Sequence, residues 1–403
     1  MGSARAISGH NLPVAISHSD PGPDAGTAVD AVLLASFGGP ESADEVMPFL
    51  RRVTAGRPVP QERLAAVAAH YLHFGGVSPI NAQNRVLQGR LQAALAELGL
   101  DLPVYFGNRN WHPFFEDVIA TIAAAGHREI AIVATSGFSS QPGCRQYQED
   151  VASAIEHAGL TMRWRKIGLW FDHPTFLQIA ADNVLEALAE FNHPQPDTVE
   201  AAPVILYSTH SLPMSVAAVS GPIGQHNAAG GAYVAQHRQA AAAITRRVSQ
   251  VLHQPIASEL VFQSRSGAPG TPWLEPDINA RLTDLADSGV ERVVVFPLGF
   301  TTDHMEIKWD LDVRAKATAE GVGMRYARAR TVGTDPRFAR MLAAMVAERT
   351  SSPGVLGALG NTPADRAWAP LDPAGSWPDW CPTGCCVGIQ PSGDGCGRSI
   401  ARA

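Results

Sequence analysis

A group of acidic residues and a histidine follows an apolar run late in the chain. The run 292–299 (RVVVFPLG) predicts a buried strand, and Asp303, His304, Glu306 and Asp310 come directly after it. Glu306 and Asp310 are four residues apart, so they share one face of a helix. Two carboxylates beside a histidine repel each other unless a cation, either a metal ion or a proton, passes between them. The spacing therefore predicts a site that handles cations.

A second histidine ends an earlier apolar run. The segment 204–210 (VILYSTH) predicts a strand that places His210 at its C-terminal end. A neutral imidazole accepts protons near pH 7, so His210 suits general-base chemistry. The alternative is a structural histidine, held at the end of the strand by hydrogen bonds.

The chain contains an internal repeat. Residues 129–139 align with 291–301 at an offset of 162 residues (291 minus 129), and Met162 aligns with Met324 at the same offset. The first strands of the two halves, 32–36 and 204–208, align at an offset of 172 residues (204 minus 32). In this register His210 corresponds to Gly38, and Glu306 corresponds to Cys144.

Each half alternates predicted strands with predicted helices, which favours parallel sheets covered on both faces. The predicted strands are 31–37, 103–108, 129–136, 203–209, 258–264 and 291–298. The predicted helices are 61–72, 82–98, 115–126, 174–191, 231–252, 276–288 and 335–348. The sequence therefore predicts an α/β fold of two similar doubly wound, Rossmann-like domains, with a cleft where the strand C-termini face each other.

Composition excludes several classes of protein. The net charge of −7 argues against nucleic acid as the main partner, and no run of eighteen apolar residues predicts a transmembrane helix. Residues 1–29 lack the pattern of a signal peptide and are expected to be a disordered arm. A cytoplasmic location is expected.

Five motifs in order closely resemble those of the ferrochelatases, which insert ferrous iron into a porphyrin. They are VLLASFGGPES (32–42), FGGVSPIN (74–81), STHSLPMS (208–215), LVFQSRSG (260–267) and GFTTDHMEIKWDLD (299–312). The resemblance implies the fold of the class II chelatases, with a porphyrin cleft between two domains at 30–190 and 191–349. Residues 350–403 would form a linker and a cysteine-rich tail that binds a cluster.

The resemblance also assigns roles to single residues. It makes His210 and Glu306 the catalytic pair, which meets the Fe²⁺ substrate across the cleft. Supporting positions are Asp303, His304 and Asp310. Of these, Asp303 is a helix N-cap candidate, and Arg314, one turn beyond Asp310, interrupts any long acidic path.

Porphyrin contacts are expected from the first half of the chain. Arg57 follows the first strand in a lip over the porphyrin and would pair with a carboxylate. Ser78 would donate a hydroxyl, and Phe37 would contact the face of the macrocycle.

Cysteines crowd the end of the chain. Cys381, Cys385 and Cys386 form a dense set of thiolates, which repel each other unless a metal neutralises them. Actinobacterial and animal ferrochelatases with a [2Fe–2S] cluster have a similar layout, which implies Cys144 as the fourth ligand. Cys396 is then spare, or the alternate ligand. A four-cysteine zinc clip is the rival.

The tail and Phe37 resemble actinobacterial enzymes, which implies that Fe²⁺ is inserted into coproporphyrin III in haem synthesis. Upstream and downstream enzymes of that synthesis are then candidate partners. Three alternatives stay open: protoporphyrin IX as substrate, a non-catalytic haem-binding or haem-sensing protein, and a cobalt or nickel chelatase. Protoporphyrin would favour an apolar, membrane-docking lip, and residues 46–50 (VMPFL) are partly apolar.

Overall fold

Two four-stranded parallel sheets form the frame of the protein. A computed structural model describes residues 29–56, 58–191, 202–266, 270–350 and 384–387, without the side chains of 349 and 350. The first sheet has the strand order β2-β1-β3-β4, and the second has the same order, β6-β5-β7-β8. The strands are β1 (Ala31–Ser36), β2 (Val104–Asn108), β3 (Glu129–Ala134), β4 (Arg163–Lys166), β5 (Val204–His210), β6 (Ala257–Gln263), β7 (Arg292–Phe296) and β8 (Arg325–Arg328).

Twelve α-helices are assigned within the described residues. In the first half they are α1 (Val46–Val53), α2 (Gln61–His73), α3 (Ile80–Glu97), α4 (Phe115–Ala124), α5 (Gln146–His157) and α6 (Pro174–Ala189). In the second half they are α7 (Met214–Ala218), α8 (Gly231–Leu252), α9 (Ile278–Asp287), α10 (Met305–Trp309), α11 (Lys316–Gly321) and α12 (Pro336–Thr350). A π-helical turn precedes α5 at Gln141–Arg145, and another joins α10 to α11 at Asp310–Ala315. The doubly wound α/β architecture predicted from the sequence is confirmed.

Strand register reproduces the two offsets of the repeat. Val32 of β1 pairs with Ala131 of β3, and Val204 of β5 pairs with Val293 of β7. The first members of the two pairs are 172 residues apart (204 minus 32), and the second members are 162 apart (293 minus 131). The two sheets are therefore built from the same central strands in the same register.

The two halves share one core layer. Alternate residues of the central strands face opposite sides, as in any β-strand. On one side of the first sheet, Leu33 packs with α4 and α5. On the same side of the second sheet, Leu206 packs with α9, α10 and α11. On the other side Val32 and Ile205 join a single cluster that also contains α3, α6, α8 and α12.

Two helices cross between the halves. Helix α6 follows β4 in the chain but packs on α8, β7 and β8 of the second half. Helix α12 follows β8 and packs on α3 of the first half. The exchange holds the two sheets together, so their strand ends keep a fixed relation across the cleft.

Each half has a fourth strand where the sequence predicted three. β4 (RWRK) and β8 (RYAR) are four residues long and polar, and they lie at sheet edges. They lack the apolar run that marks a buried strand, which is why the pattern missed them. The repeated Met-Arg pairs at 162 and 324 lie at their starts.

Within the described residues, no helix is both long enough and apolar enough to cross a membrane. The N-terminal arm before residue 29 and the linker at 351–380 lie outside the described residues, and the domain boundaries stay predictions.

Candidate functional site

The strand C-termini of the two halves meet. Thr301, after β7, donates a hydrogen bond to the carbonyl oxygen of Thr135 at the end of β3 (2.7 Å). The N–H of Asp303 donates to Gln83 Oε1 on α3 (2.8 Å). His210 ends β5 beside β7, where strand order reverses, and open α/β sheets bind their ligands at such switch points.

His210 faces Glu306 at this point. His210 Nε2 lies 3.7 Å from Glu306 Oε1, and their side chains are 30% and 48% exposed. His210 Nδ1 contacts the carbonyl oxygen of Ser211, which can only accept a hydrogen bond, so the proton of the neutral ring lies on Nδ1. Nε2 then carries a lone pair that faces the cleft and Glu306. The structure thus brings together the two residues that the sequence predicts as a pair, and their catalytic role stays a prediction.

The pair shifts both pKa values. Burial opposes a charge on His210, but the Glu306 carboxylate outweighs it and raises the pKa of His210 above its ordinary value. Burial likewise opposes the charge of Glu306, yet His210 and, to a lesser degree, His304 lower the pKa of Glu306 to about 2. Glu306 is therefore an anion at neutral pH, placed to stabilise a proton on His210.

His304, rather than Asp303, caps helix α10. The Nδ1 atom of His304 accepts a hydrogen bond from the backbone N–H of Glu306 (3.1 Å), which fixes the first turn. The expectation that Asp303 is the N-cap was wrong. Asp303 instead accepts two hydrogen bonds from Arg328 on β8 (3.1 and 3.0 Å), because a buried guanidinium needs an anionic partner. Asp303 thus anchors the segment that carries His304 and Glu306.

Asp310 lies behind Glu306 and is 7% exposed. Its carboxylate accepts a hydrogen bond from Ser264 and pairs with Arg314 (3.3 Å). Burial raises the pKa of Asp310, as does the nearby Glu306, while Ser264 and Arg314 act in the opposite direction. The predicted interruption of the acidic line by Arg314 is confirmed.

A buried network supports the backbone of His210. Tyr233 on α8 donates its hydroxyl to the carbonyl oxygen of His210 (2.9 Å) and lies 2.7 Å from Thr209 Oγ1. Thr209 Oγ1 also lies 2.9 Å from His237 Nε2, and the His237 ring stacks on Phe138 of the first half at 3.7 Å. Burial lowers the pKa of His237 to about 3, so this ring is neutral. Sequence reasoning missed the network because its members come together only through the packing of α8 on β5.

Residues of the first half line the opposite side. Phe37, just after β1, is 39% exposed and packs edge-on against Phe49. Ser78 is 3% exposed, and its N–H donates to the carbonyl oxygen of Pro40 (2.8 Å). Arg57 lies outside the described residues. The proposed contacts of all three with substrate stay predictions.

Helix α1 turns its apolar side chains inward. Val46, Phe49 and Leu50 are 1%, 2% and 5% exposed and pack with α2 and Trp111. Arg51 and Arg52 are exposed, and the Arg52 guanidinium lies 4.1 Å from the centre of the Phe114 ring. Helix α1 therefore exposes Arg51 and Arg52, while three of the five residues at 46–50 are buried.

A tail segment returns to the neighbourhood of Cys144. Cys386 donates its N–H to the carbonyl oxygen of Gly221 (3.0 Å), and the N–H of Gly221 donates to Cys386 Sγ (3.1 Å). Arg145 donates to the carbonyl oxygen of Cys385 (3.0 Å). Cys144, Cys385 and Cys386 are 4%, 5% and 0% exposed.

The sulfur pair of Cys385 and Cys386 fits an iron–sulfur cluster or a zinc ion, both of which take thiolates. Cys385 and Cys386 hold their sulfur atoms 3.9 Å apart. A tetrahedral metal with metal–sulfur bonds of about 2.3 Å would separate two thiolates by about 3.8 Å. Among the described residues, no three His, Cys, Asp or Glu side chains are grouped to hold one metal ion. Cys381 and Cys396 lie outside the described residues.

The fold and the site together define a class of protein, a duplicated α/β fold with a histidine and a carboxylate at the switch point of its second sheet. The family model of ferrochelatase matches residues 29–350. The chain therefore belongs to the ferrochelatase family, whose members are metal-chelating lyases.

Related proteins are similar in sequence to this chain over nearly its whole length. The coproporphyrin III ferrochelatase of Streptomyces griseus is 46% identical over 366 residues, covering 90% of this chain and 94% of that protein. That of Frankia alni is 45% identical over 379 residues, covering 93% and 91%. Among solved structures, SirB from Bacillus subtilis with Fe³⁺ has a TM-score of 0.44 and 13% identity, covering 80% of this chain and 96% of that chain.

Proposed function

We propose that the protein inserts Fe²⁺ into coproporphyrin III to form iron coproporphyrin, with His210 and Glu306 as its catalytic residues. The observation that carries the proposal is the 3.7 Å approach of His210 Nε2 to Glu306 Oε1 at the mouth of the cleft. The relatives named above are coproporphyrin III ferrochelatases at 46% and 45% identity, and this identity supports the choice of substrate.

The chemistry requires two protons to leave the porphyrin nitrogens as the metal enters. His210 Nε2 accepts a proton from a pyrrole N–H, and Glu306 stabilises the imidazolium that forms. The pKa of His210 is raised, which makes Nε2 a stronger base for this proton transfer. His210 then releases this proton to the solvent of the cleft, which restores the base so that it can accept the proton of the second pyrrole N–H. Glu306 remains an anion throughout and can also contact the incoming Fe²⁺.

The choice of porphyrin depends on the lip. Coproporphyrin III carries four carboxylates, and the exposed Arg51 and Arg52 together with Arg57 offer cations to them. Val46, Phe49 and Leu50 are buried, which supports coproporphyrin III over protoporphyrin IX and its apolar, membrane-docking lip. A cytoplasmic location stays a prediction.

The substrate proposal is tested by anaerobic metalation of coproporphyrin III and protoporphyrin IX with Fe²⁺. We expect a higher kcat/KM for coproporphyrin III, since each desolvated charge-assisted hydrogen bond contributes roughly 1.5–3 kcal/mol. Arg57→Ala should narrow the difference. Equal kcat/KM for the two porphyrins would contradict the substrate assignment, and no turnover with either would contradict the enzyme assignment.

We also propose that Cys144, Cys381, Cys385 and Cys386 hold a [2Fe–2S] cluster. Burial of the three described cysteines and the N–H···S bond from Gly221 both suit thiolates bound to iron. When bound, such a cluster would supply a cross-link between the tail and the chelatase fold. The hydrogen bonds of Cys386 with Gly221 and of Cys385 with Arg145 already hold this part of the tail in place.

The cluster proposal is tested on protein purified without oxygen. We expect brown protein with two irons and two acid-labile sulfides per chain. Cys144→Ser should bleach it and lower its melting temperature, because a cross-link across a long loop is lost. Cys396→Ser is the matched control and should leave both unchanged. Colourless protein with one zinc per chain would favour the zinc clip, and bleaching by Cys396→Ser would show that Cys396 is a ligand and that another tail cysteine is the spare one.

A further inference from the structure

The described tail segment, residues 384–387, is seated on the loop that precedes α8. Cys386 holds Gly221 of this loop through both backbone polar groups of the glycine, at 3.0 Å from its carbonyl oxygen and 3.1 Å from its N–H. Cys386 is fully buried in this contact. Gly384 lies so close to the loop that an added Cβ would be 2.5 Å from Ile223 Cδ1. The tail therefore restrains the backbone of the loop at Gly221.

Ser220, the residue before Gly221, caps the N-terminus of α8. The helix begins after Gly230, which has no side chain with which to cap it. The carbonyl oxygen of Ser220 accepts the N–H of Ala232 (3.1 Å), and its Oγ accepts the N–H of Tyr233 (2.8 Å). Ser220 is fully buried, so these first-turn N–H groups depend on it rather than on solvent. The place of Ser220 thus sets the place of the first turn of α8.

Tyr233 connects this first turn to His210. Its N–H is held by Ser220, and its hydroxyl donates to the carbonyl oxygen of His210 (2.9 Å). Tyr233 is only 6% exposed, so its ring moves with the turn that carries it. A continuous series of hydrogen-bonded or adjacent residues therefore runs from Cys386 through Gly221 and Ser220 to the backbone of His210.

The tail has a second attachment, which suggests a different role. Arg145, in the π-helical turn of the first half, donates to the carbonyl oxygen of Cys385 (3.0 Å). The tail thus contacts both halves, and it could act only as a strap that holds them together. A strap would stabilise the fold without acting on His210 through Ser220. The two roles differ in whether the effects of Cys386 and Ser220 on turnover depend on each other.

We propose that Cys386 and Ser220 are positioning residues for His210, through which the cysteine tail acts on the catalytic base. Neither residue contacts the reacting atoms. Cys386 holds Gly221, Ser220 places the first turn of α8, and Tyr233 of that turn holds the carbonyl oxygen of His210. The effect on catalysis rests on the proposed function, whereas the link between the tail and α8 does not.

A double-mutant cycle tests the inner part of the link. Ser220→Ala should lower kcat for metalation by about three- to tenfold, with KM for the porphyrin within about twofold of wild type. Combined with Tyr233→Phe, it should lower kcat no further than the more affected single variant, because both changes break the same link. Ser249→Ala is the matched control and should keep wild-type kcat, since Ser249 accepts a backbone N–H at the other end of α8 (3.2 Å). Single losses that multiply in the double variant would overturn the proposal.

The outer part of the link is tested with the tail itself in the full-length protein. Cys386→Ala should lower kcat by about two- to fivefold, and adding it to Ser220→Ala should cause no further loss. Melting temperatures give the folded fraction of each variant, and kcat is expressed per folded molecule. Losses that multiply in this double variant, or an unchanged kcat in Cys386→Ala, would show that the tail is only a strap.

Hydrogen exchange of the Tyr233 amide tests the link without turnover. Ser220→Ala and Cys386→Ala should each speed this exchange by about tenfold, and Ser249→Ala should not. If wild type fails to metalate porphyrins but the exchange responds in this way, the proposed function is wrong and the link between the tail and α8 is supported. Exchange that is unchanged in both variants would overturn the link whatever the turnover.

Discussion

The two halves of the molecule share a scaffold and differ at the ends of equivalent strands. Where the second half has His210 after its first strand, the first half has Gly38, whose φ is +84° and whose added Cβ would lie 2.8 Å from Asn108 Cβ. Where the second half has Glu306, the first half has Cys144. The first half therefore has no room for a base at the equivalent point, and a buried thiol lies at the position that corresponds to Glu306.

This difference places the proposed substrate contacts and the proposed catalytic residues in different halves of the molecule. The exchange of α6 and α12 fixes the two strand ends against each other. Under the proposed function, the first half would present a substrate face and the second half would remove protons. Phe37 and the arginines of α1 belong to the first half, and His210, Glu306 and Asp310 belong to the second. The proposed cluster would attach to the first half through Cys144.

The largest expected effect follows from removing the base. His210→Ala should lower kcat for metalation by about 10²–10⁴-fold, the usual cost of losing a general base, with the fold intact. His157→Ala is the control, since that exposed histidine of the first half only bonds within α5. A His210→Ala enzyme with more than half of wild-type turnover would show that the halves do not divide the chemistry in this way.

The next effect concerns the charge of Glu306. Its carboxylate raises the pKa of His210, and the neutral ring is the base, so activity rises with pH through that raised pKa. Glu306→Gln removes the anion, which should move the acid limb of kcat/KM to lower pH and lower kcat by roughly tenfold to a hundredfold. Glu320→Gln, an exposed change on α11, should leave the profile in place. An acid limb that stays fixed in Glu306→Gln would assign it to another group.

A matched pair of glycines compares the halves directly. Gly137 and Gly299 are equivalent in the repeat (299 minus 137 is 162), and an added Cβ would press on the Trp170 ring at the first and on Thr209 at the second. Both alanine variants should destabilise the fold by about 1–3 kcal/mol through overpacking. Only Gly299→Ala should also lower kcat, because Thr209 adjoins His210. Unfolding midpoints and turnover measured together would test this, and an equal loss of kcat in both variants would contradict it.

The sequence predicted the strands that are buried and apolar, and it placed His210 and Glu306 together through the motifs that carry them. It missed β4 and β8, because short polar edge strands have no periodic signal. It also took Asp303 for the N-cap, since the competing partner, Arg328, lies 25 residues away in the chain. The exchange of α6 and α12 could not be predicted either, because both helices are apolar enough to cover either sheet.

The smallest expected effect tests the network behind His210. Tyr233→Phe removes the hydrogen bond to the carbonyl oxygen of His210, a contact that contributes about 0.5–1.5 kcal/mol. We expect kcat to fall a few-fold while the acid limb of the pH profile stays in place, because the charge partner Glu306 is untouched. Tyr207→Phe is the control. Tyr207 lies on β5, the strand that carries His210, and its hydroxyl bonds Thr245 of α8, so the variant loses one hydrogen bond at a similar cost in stability. If both variants lower kcat equally, Tyr233 acts only through the stability of the fold. If only Tyr233→Phe lowers kcat, the second half positions His210 through the buried network of Tyr233, Thr209 and His237.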